Sequence, residues 1–190
     1  MPINWKKCWK SEDWLEDKRG HFENMETYLL ERHKDRFPPK TILDIGAGLA
    51  MESGWLQEKY GCEITIIEAM RKRGLRETGY GNIEGFSGYL DFDYLKECYA
   101  KRNLKVIFIN KEHIQIPVNK KFDMICSYKS CGFHYPLRTY ENLIKAHSHD
   151  KTLLIFDIHR SRKNQLNGIQ HDVICQGKSF ERVLLCTNYG

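Results

Sequence analysis

The stretch Lys40-Thr41-Ile42-Leu43-Asp44-Ile45-Gly46-Ala47-Gly48-Leu49-Ala50 decides how this chain reads. Ile42 to Ile45 is a short apolar run, the pattern of a parallel strand buried on both faces. It breaks at Gly46 and Gly48, and a helical pattern then runs from Met51 to about Tyr60. Strand, glycine turn and helix together bring a backbone close to a ligand. The start of the helix offers unpaired N–H groups at the same place.

A nicotinamide or flavin fingerprint needs a third glycine where Met51 stands. Asp44 also lies two residues before the first glycine. A carboxylate at a strand tip repels pyrophosphate and suits an ammonium. The expected ligand is therefore cationic or zwitterionic here, such as an amino-acid moiety. The plainer alternative is an ordinary tight turn after a core strand. The Asp-x-Gly-x-Gly form resembles the first motif of the class I S-adenosylmethionine-dependent methyltransferases, and Ala50 fills that family's further small position. The resemblance implies that Asp44, Gly46, Ala47 and Gly48 cradle the methionine part of S-adenosyl-L-methionine.

The next strand, Glu63 to Ile67, ends at Glu68. Its distance from Asp44 suits one strand–helix–strand unit. An acid at this tip accepts two hydrogen bonds from ribose hydroxyls, and Glu68 is the second match to the family. Val106 to Ile109 reads as a third strand, followed by Asn110-Lys111-Glu112-His113 and Pro117. In the family, a polar residue a few positions before such a proline contacts the adenine amino group. Glu112 aligns best, and Asn110 is its rival; either supplies the oxygen that an amino donor needs. The resemblance also assigns Ala69, His113 and Ser127 to the cofactor site. Lys121-Phe122-Asp123-Met124-Ile125-Cys126-Ser127 is a fourth strand, and Phe-Asp-x-Ile is the third match.

At 190 residues, with 41% apolar and 29% charged residues, a single domain with a full core is expected. The net charge of +5 permits a polyanionic partner without requiring one. Nucleic acid is thus an admissible but unfavoured partner, and the oligomeric state is open. No apolar run approaches the roughly 20 residues of a membrane span. The N-terminus lacks a hydrophobic signal core, so a cytoplasmic location is expected. The seven cysteines form no Cys-x-x-Cys pair. They read as reduced thiols, and no metal site is expected.

Residues 1–37 read as an N-terminal helical cap and 38–190 as a Rossmann-like core. In the cap, Ser11-Glu12-Asp13 and Phe22 to Arg36 look helical. Met25, Tyr28, Leu29 and Arg32 form an apolar stripe that Pro38-Pro39 ends. Trp5 and Trp9 are candidates to stack on a substrate ring. The segment either shapes the substrate pocket or merely packs on the sheet edge. Thr78 to Gly88 reads as a glycine-rich flap or plain loop, and Asp91 to Lys101 as a helix with Leu95, Cys98 and Tyr99 inward. A helix is expected from Leu137 to Lys145, and a fifth strand from Thr152 to Phe156. A polar linker follows from Ser161 to Gly168, then two strands, Val173 to Cys175 and Phe180 to Cys186, in an antiparallel hairpin. The expected fold is α/β and doubly wound, with seven mostly parallel strands and an antiparallel last strand. The resemblance spans about residues 38–187.

In open α/β sheets, ligands sit at the carboxyl ends of the strands. Tyr128-Lys129-Ser130-Cys131-Gly132-Phe133-His134-Tyr135-Pro136 therefore faces the transferred methyl group. His134 is the first candidate for a general base and His159 the second; each is otherwise a packing histidine. Lys129 and Arg160 are candidates to hold an acidic substrate group. Tyr128, Phe133 and Tyr135 either sandwich a ring or close the core. The loop lacks the Asn-Pro-Pro-Tyr or Asp-Pro-Pro-Tyr form of base-modifying enzymes and is similar to sugar-type O-methyltransferases. The resemblance implies a small-molecule acceptor, with S-adenosyl-L-homocysteine as product. An RNA or protein methyltransferase and a non-catalytic cofactor-binding protein are the alternatives.

Overall fold

Strand β1, Thr41–Ile45, lies inside a seven-stranded sheet, where Ile42, Leu43 and Ile45 are buried on both faces and Asp44 is the one buried charge among them. The computed structural model describes residues 12–68 and 92–186. Strands β2 (Glu63–Glu68), β3 (Val106–Asn110), β4 (Met124–Ser127), β5 (Leu153–His159), β6 (His171–Gln176) and β7 (Phe180–Leu185) complete the sheet in the order β3-β2-β1-β4-β5-β7-β6. The first five strands pair in parallel, and β7 inserts antiparallel between β5 and β6. The order reverses at β1, between β2 and β4, and that reversal opens the crevice where ligands bind in such sheets.

Helix α1 (Glu12–Arg32) joins the two stretches that the sequence pattern makes helical into one and ends at Arg32, sooner than the expected Arg36. His33 to Arg36 close as a turn, with Phe37 N–H donating to His33 O, so the chain leaves the helix before the prolines. Met25 and Leu29 of the stripe are fully buried, whereas Arg32 stays exposed and lies over the Tyr28 ring. Burying two such side chains contributes roughly 1.5–3 kcal/mol each. Helix α2 (Met51–Tyr60) stops at Gly61, whose φ of 72° is the left-handed geometry of a helix end. In α3 (Phe92–Lys101), Leu95, Cys98 and Tyr99 face inward.

Two elements differ from expectation. The helix expected over 137–145 is a 3-10 turn, Leu137–Tyr140, running into α4 (Glu141–His147). Pro136 sets the entry, and Tyr140 at φ −115° breaks the regular backbone between the two. The polar linker is itself a 3-10 segment, Arg160–Leu166, capped by His159 and packed inward through Leu166. Trp5, Trp9, Ala69 and the stretch 78–88 lie outside the described residues, as does the side chain of Glu112. No described helix is long and apolar enough to cross a membrane.

Candidate active site

The glycine turn after β1 is held from three sides. Gly46 has φ 68°, and a Cβ there would fall 2.0 Å from Ser130 Oγ, so only glycine fits beneath the β4 loop. The Gly48 N–H donates to Glu68 Oε2 at 2.9 Å, and the Gly48 carbonyl accepts from the Tyr99 hydroxyl. Arg102, just past α3, donates through Nη1 to the carbonyls of Leu49 (3.3 Å) and Ala50 (3.1 Å). Ala50 itself is left-handed, at φ 46° and ψ 51°. These hydrogen bonds hold the turn in a backbone geometry that would otherwise relax.

Asp44 and Glu68 stand on adjacent strands, with the glycine turn between them. Asp44 is fully buried. Its Oδ2 accepts from Ser53 Oγ at 2.6 Å, and its Oδ1 has no hydrogen-bond partner. Burial raises the Asp44 pKa to about 7; the Ser53 hydrogen bond opposes this, while Glu52 and Glu68 add to it. A buried carboxylate oxygen without a donor fits a ligand that brings an ammonium. Asn110 pairs in register with Glu68 on the neighbouring strand, and His113 is exposed in the turn that follows.

The Asp44 shift has a consequence for stability. The folded pKa lies above the ordinary value of 3.8, so this group's contribution is full below that value. It is lost as pH rises through about 7. Relative to Asp44→Asn, the ligand-free protein should lose on the order of 4 kcal/mol between pH 4 and pH 8. Urea melts of both proteins across that range measure the difference. A pH-independent gap would show that Asp44 titrates normally.

The β4 loop is a closed structure rather than an open arm. Ser127 is buried, donating to the Ile45 carbonyl at 2.6 Å and accepting from Cys131 N–H at 2.8 Å. Its hydroxyl hydrogen is thus already placed within the protein. The Ser130 carbonyl accepts from the N–H of His134 at 2.7 Å, and His159 N–H donates to the Gly132 carbonyl at 3.3 Å, which fastens the loop to the end of β5. Phe133 lies between two imidazoles, with His134 at 4.7 Å and His159 at 4.8 Å, both edge-on. His134 is exposed, yet partial desolvation lowers its pKa, and His159 and Arg162 lower it further. His159 Nδ1 accepts from Ser161 N–H at 3.2 Å. In its neutral form His159 therefore carries its proton on Nε2 and presents a donor there.

Tyr128 closes the core. Its ring lies 4.5 Å from the Arg182 guanidinium carbon, and its hydroxyl contacts Met25 Sδ at 3.4 Å, so its expected role at the substrate gives way to packing. Arg160 is exposed and donates to the Gly177 carbonyl at 3.1 Å, a tie to the β6–β7 turn. Tyr135 is half-buried, with the Lys111 ammonium 5.9 Å from its ring. Lys129 is half-buried at φ 59°, and its ammonium lies 4.9 Å from the Phe180 ring.

The largest departure from the sequence reading is a buried charge network. Arg182 of β7 donates through Nε to Asp157 Oδ1 (2.7 Å) and through Nη2 to Asp157 Oδ2 (3.1 Å) and Glu52 Oε1 (3.1 Å). Lys18 of α1 donates to the same Glu52 oxygen at 2.7 Å. Burial alone would raise the Glu52 pKa, but Lys18 and Arg182 bring it down to about 2. Burial alone would lower that of Arg182, but Asp157 and Glu52 outweigh it and raise it. The network joins α1, α2, β5 and β7. Its only local trace is a charge set within each apolar run, Asp157 in Leu153–His159 and Arg182 in Phe180–Leu185.

Among the described residues, no group of three or more His, Cys, Asp or Glu side chains has the arrangement of a metal site. No protein-family model matches the sequence, and no curated protein matches it either. Solved structures do match the fold. The ribosomal protein L11 methylase of Lactobacillus delbrueckii subsp. bulgaricus superposes with a TM-score of 0.57 at 14% identity, covering 85% of this chain and 76% of that one. The plantazolicin methyltransferase BpumL in complex with SAH gives 0.52 at 16% identity, over 93% of this chain and 60% of that one. An S-adenosylmethionine-dependent methyltransferase from Clostridium acetobutylicum gives 0.50 at 13%, over 87% and 74%. This chain spans about half to three quarters of the length of such structures. With its strand order, its inserted antiparallel β7 and its glycine turn, the chain has the Rossmann-like fold of the class I S-adenosylmethionine-dependent methyltransferases.

Proposed function

We propose that this protein is an S-adenosylmethionine-dependent methyltransferase that methylates a hydroxyl of a small molecule such as a sugar. The observation that carries the reading is the pair of buried carboxylates, Asp44 and Glu68, on either side of one glycine turn. When bound, S-adenosyl-L-methionine supplies a methyl group on a positively charged sulfur, ready for in-line displacement. Asp44 provides the unpaired oxygen for the ammonium, Glu68 accepts from the ribose diol, and Asn110 or Glu112 accepts from the adenine amino group. Ala47 and Gly48 bring backbone up to the ligand, and Ser127 fixes the loop above it.

At the acceptor side, His134 would take the proton of the acceptor hydroxyl. Its lowered pKa keeps the imidazole neutral and able to accept at physiological pH. Phe133 and Tyr135 form the walls of the acceptor space and exclude water. The likeness to a ribosomal protein L11 methylase favours a second reading, a protein acceptor.

Incubation with labelled S-adenosylmethionine and a panel of hydroxylated compounds should yield labelled ethers. His134→Ala should lower transfer roughly 100-fold or more, the scale of a general base, and leave cofactor binding intact. Label appearing only on nitrogen acceptors or peptides would transfer the case to the second reading.

A further inference from the structure

Three basic side chains from three different elements meet around the ring of Phe180. The Lys129 ammonium lies 4.9 Å from the ring centroid, the Arg182 guanidinium carbon 5.8 Å, and the His21 ring 5.1 Å, edge-on. Within the buried network, Arg182 and Lys18 face Asp157 and Glu52, two cations against two anions. That set is balanced in charge but not in hydrogen bonds. Arg182 is fully buried, and its Nη1 has no partner. A buried donor left in this state costs about 1–3 kcal/mol.

Lys129 adds charge that the network does not need. Its ammonium makes no ion pair or hydrogen bond among the described residues. Burial, then Lys18, lowers its pKa, while Asp157, Glu52 and Asp17 act the other way. Its backbone sits in the left-handed region, at φ 59°, where glycine or asparagine is easier. Strain at a charged loop residue is a pointer to a role. Lys129 follows the end of β4, Asp157 lies near the end of β5, and Glu52 is in the first turn of α2, just past the glycine turn. Lys129 and Arg182 thus meet at the ring of Phe180, beside Asp157 near the end of β5.

We infer that the methyl acceptor carries an oxyanion, a carboxylate or a phosphate, which is received jointly by Lys129 Nζ and Arg182 Nη1. The assignment of the bound molecule as the acceptor rests on the methyltransferase reading; the donor pair stands without it. Glu52 and Asp157 do not repel the anion, because both are already engaged by Arg182 and Lys18. The Tyr128 and Phe180 rings shield the guanidinium from water, which strengthens its pull on an anion.

The test uses the full chain, first without added ligand and then with S-adenosylhomocysteine. Acetate, methyl phosphate and the neutral acetamide are titrated in turn, with the Lys129 and Phe180 amides and the Arg182 side-chain N–H followed by NMR. Acetate or methyl phosphate should give saturable shifts at all three, and acetamide none; which anion binds more tightly identifies the group. Lys129→Gln should weaken anion binding about tenfold, the loss of one charge-assisted hydrogen bond, and Lys129→Arg should restore most of it. Thermal melts show that both variants are folded. Shifts that do not saturate, equal shifts with acetamide, or no change in Lys129→Gln would overturn the inference. Anion binding in a protein that fails to bind S-adenosylhomocysteine would retain the site and remove the methyltransferase reading instead.

Discussion

Arg182→Met should destabilise the protein by about 3–5 kcal/mol, the cost of leaving buried anions unpaired. Arg182 supplies both hydrogen bonds to Asp157, which is itself fully buried, and one of two to Glu52 Oε1. Methionine fills much of the volume but offers no donor. Asp157 would then have to take up a proton or draw in water, and β5 and β7 would lose their only cross-strand ion pair among the described residues. The double variant Arg182→Met with Asp157→Leu should recover a good part of the loss, because an apolar pair does not strand a charge. Urea denaturation of the three proteins measures this. A loss below about 1 kcal/mol in the single variant would mean that the network is solvated and adds little.

Glu68→Ala should weaken S-adenosylmethionine binding about 100-fold or more, read by calorimetry. Two hydrogen bonds from ribose hydroxyls to a carboxylate contribute roughly 3 kcal/mol or more together. In the ligand-free protein Glu68 also fixes the turn, through the Gly48 N–H. Its removal also leaves that N–H without its partner and loosens the turn. Thermal melts without ligand measure that structural cost, and the affinity loss should exceed it. A loss of less than threefold would show that the ribose lies elsewhere and would remove the cofactor assignment with it.

The two predictions draw on different kinds of information. Glu68 could be named from the chain alone, because a strand that ends in an acid one crossover after Asp44 is a local pattern. Neither Arg182 nor Glu52 was identified in that way. Glu52 reads as an ordinary acid in the first turn of a helix, where acids are favoured by the dipole. Arg182 reads as one polar residue of a short final strand. Tyr128 and Lys129 are neighbours in the same loop, but their surroundings separate them. Tyr128 is turned onto Arg182 and Met25 in the core, while Lys129 stays half-buried at the ring of Phe180.

Local residue order sets the alternation of strands and helices, the glycine turn after β1 and the closing hairpin. Each of these depends on residues within a few positions of one another, through apolar periodicity and backbone preference. The placing of charges in the interior comes from how the elements pack. Lys18, Glu52, Asp157 and Arg182 come from four separate elements and meet because β7 inserts beside β5 while α1 and α2 close over that end of the sheet. A buried charge is tolerable only beside its partner, and partners so far apart in the chain leave no joint pattern in its order.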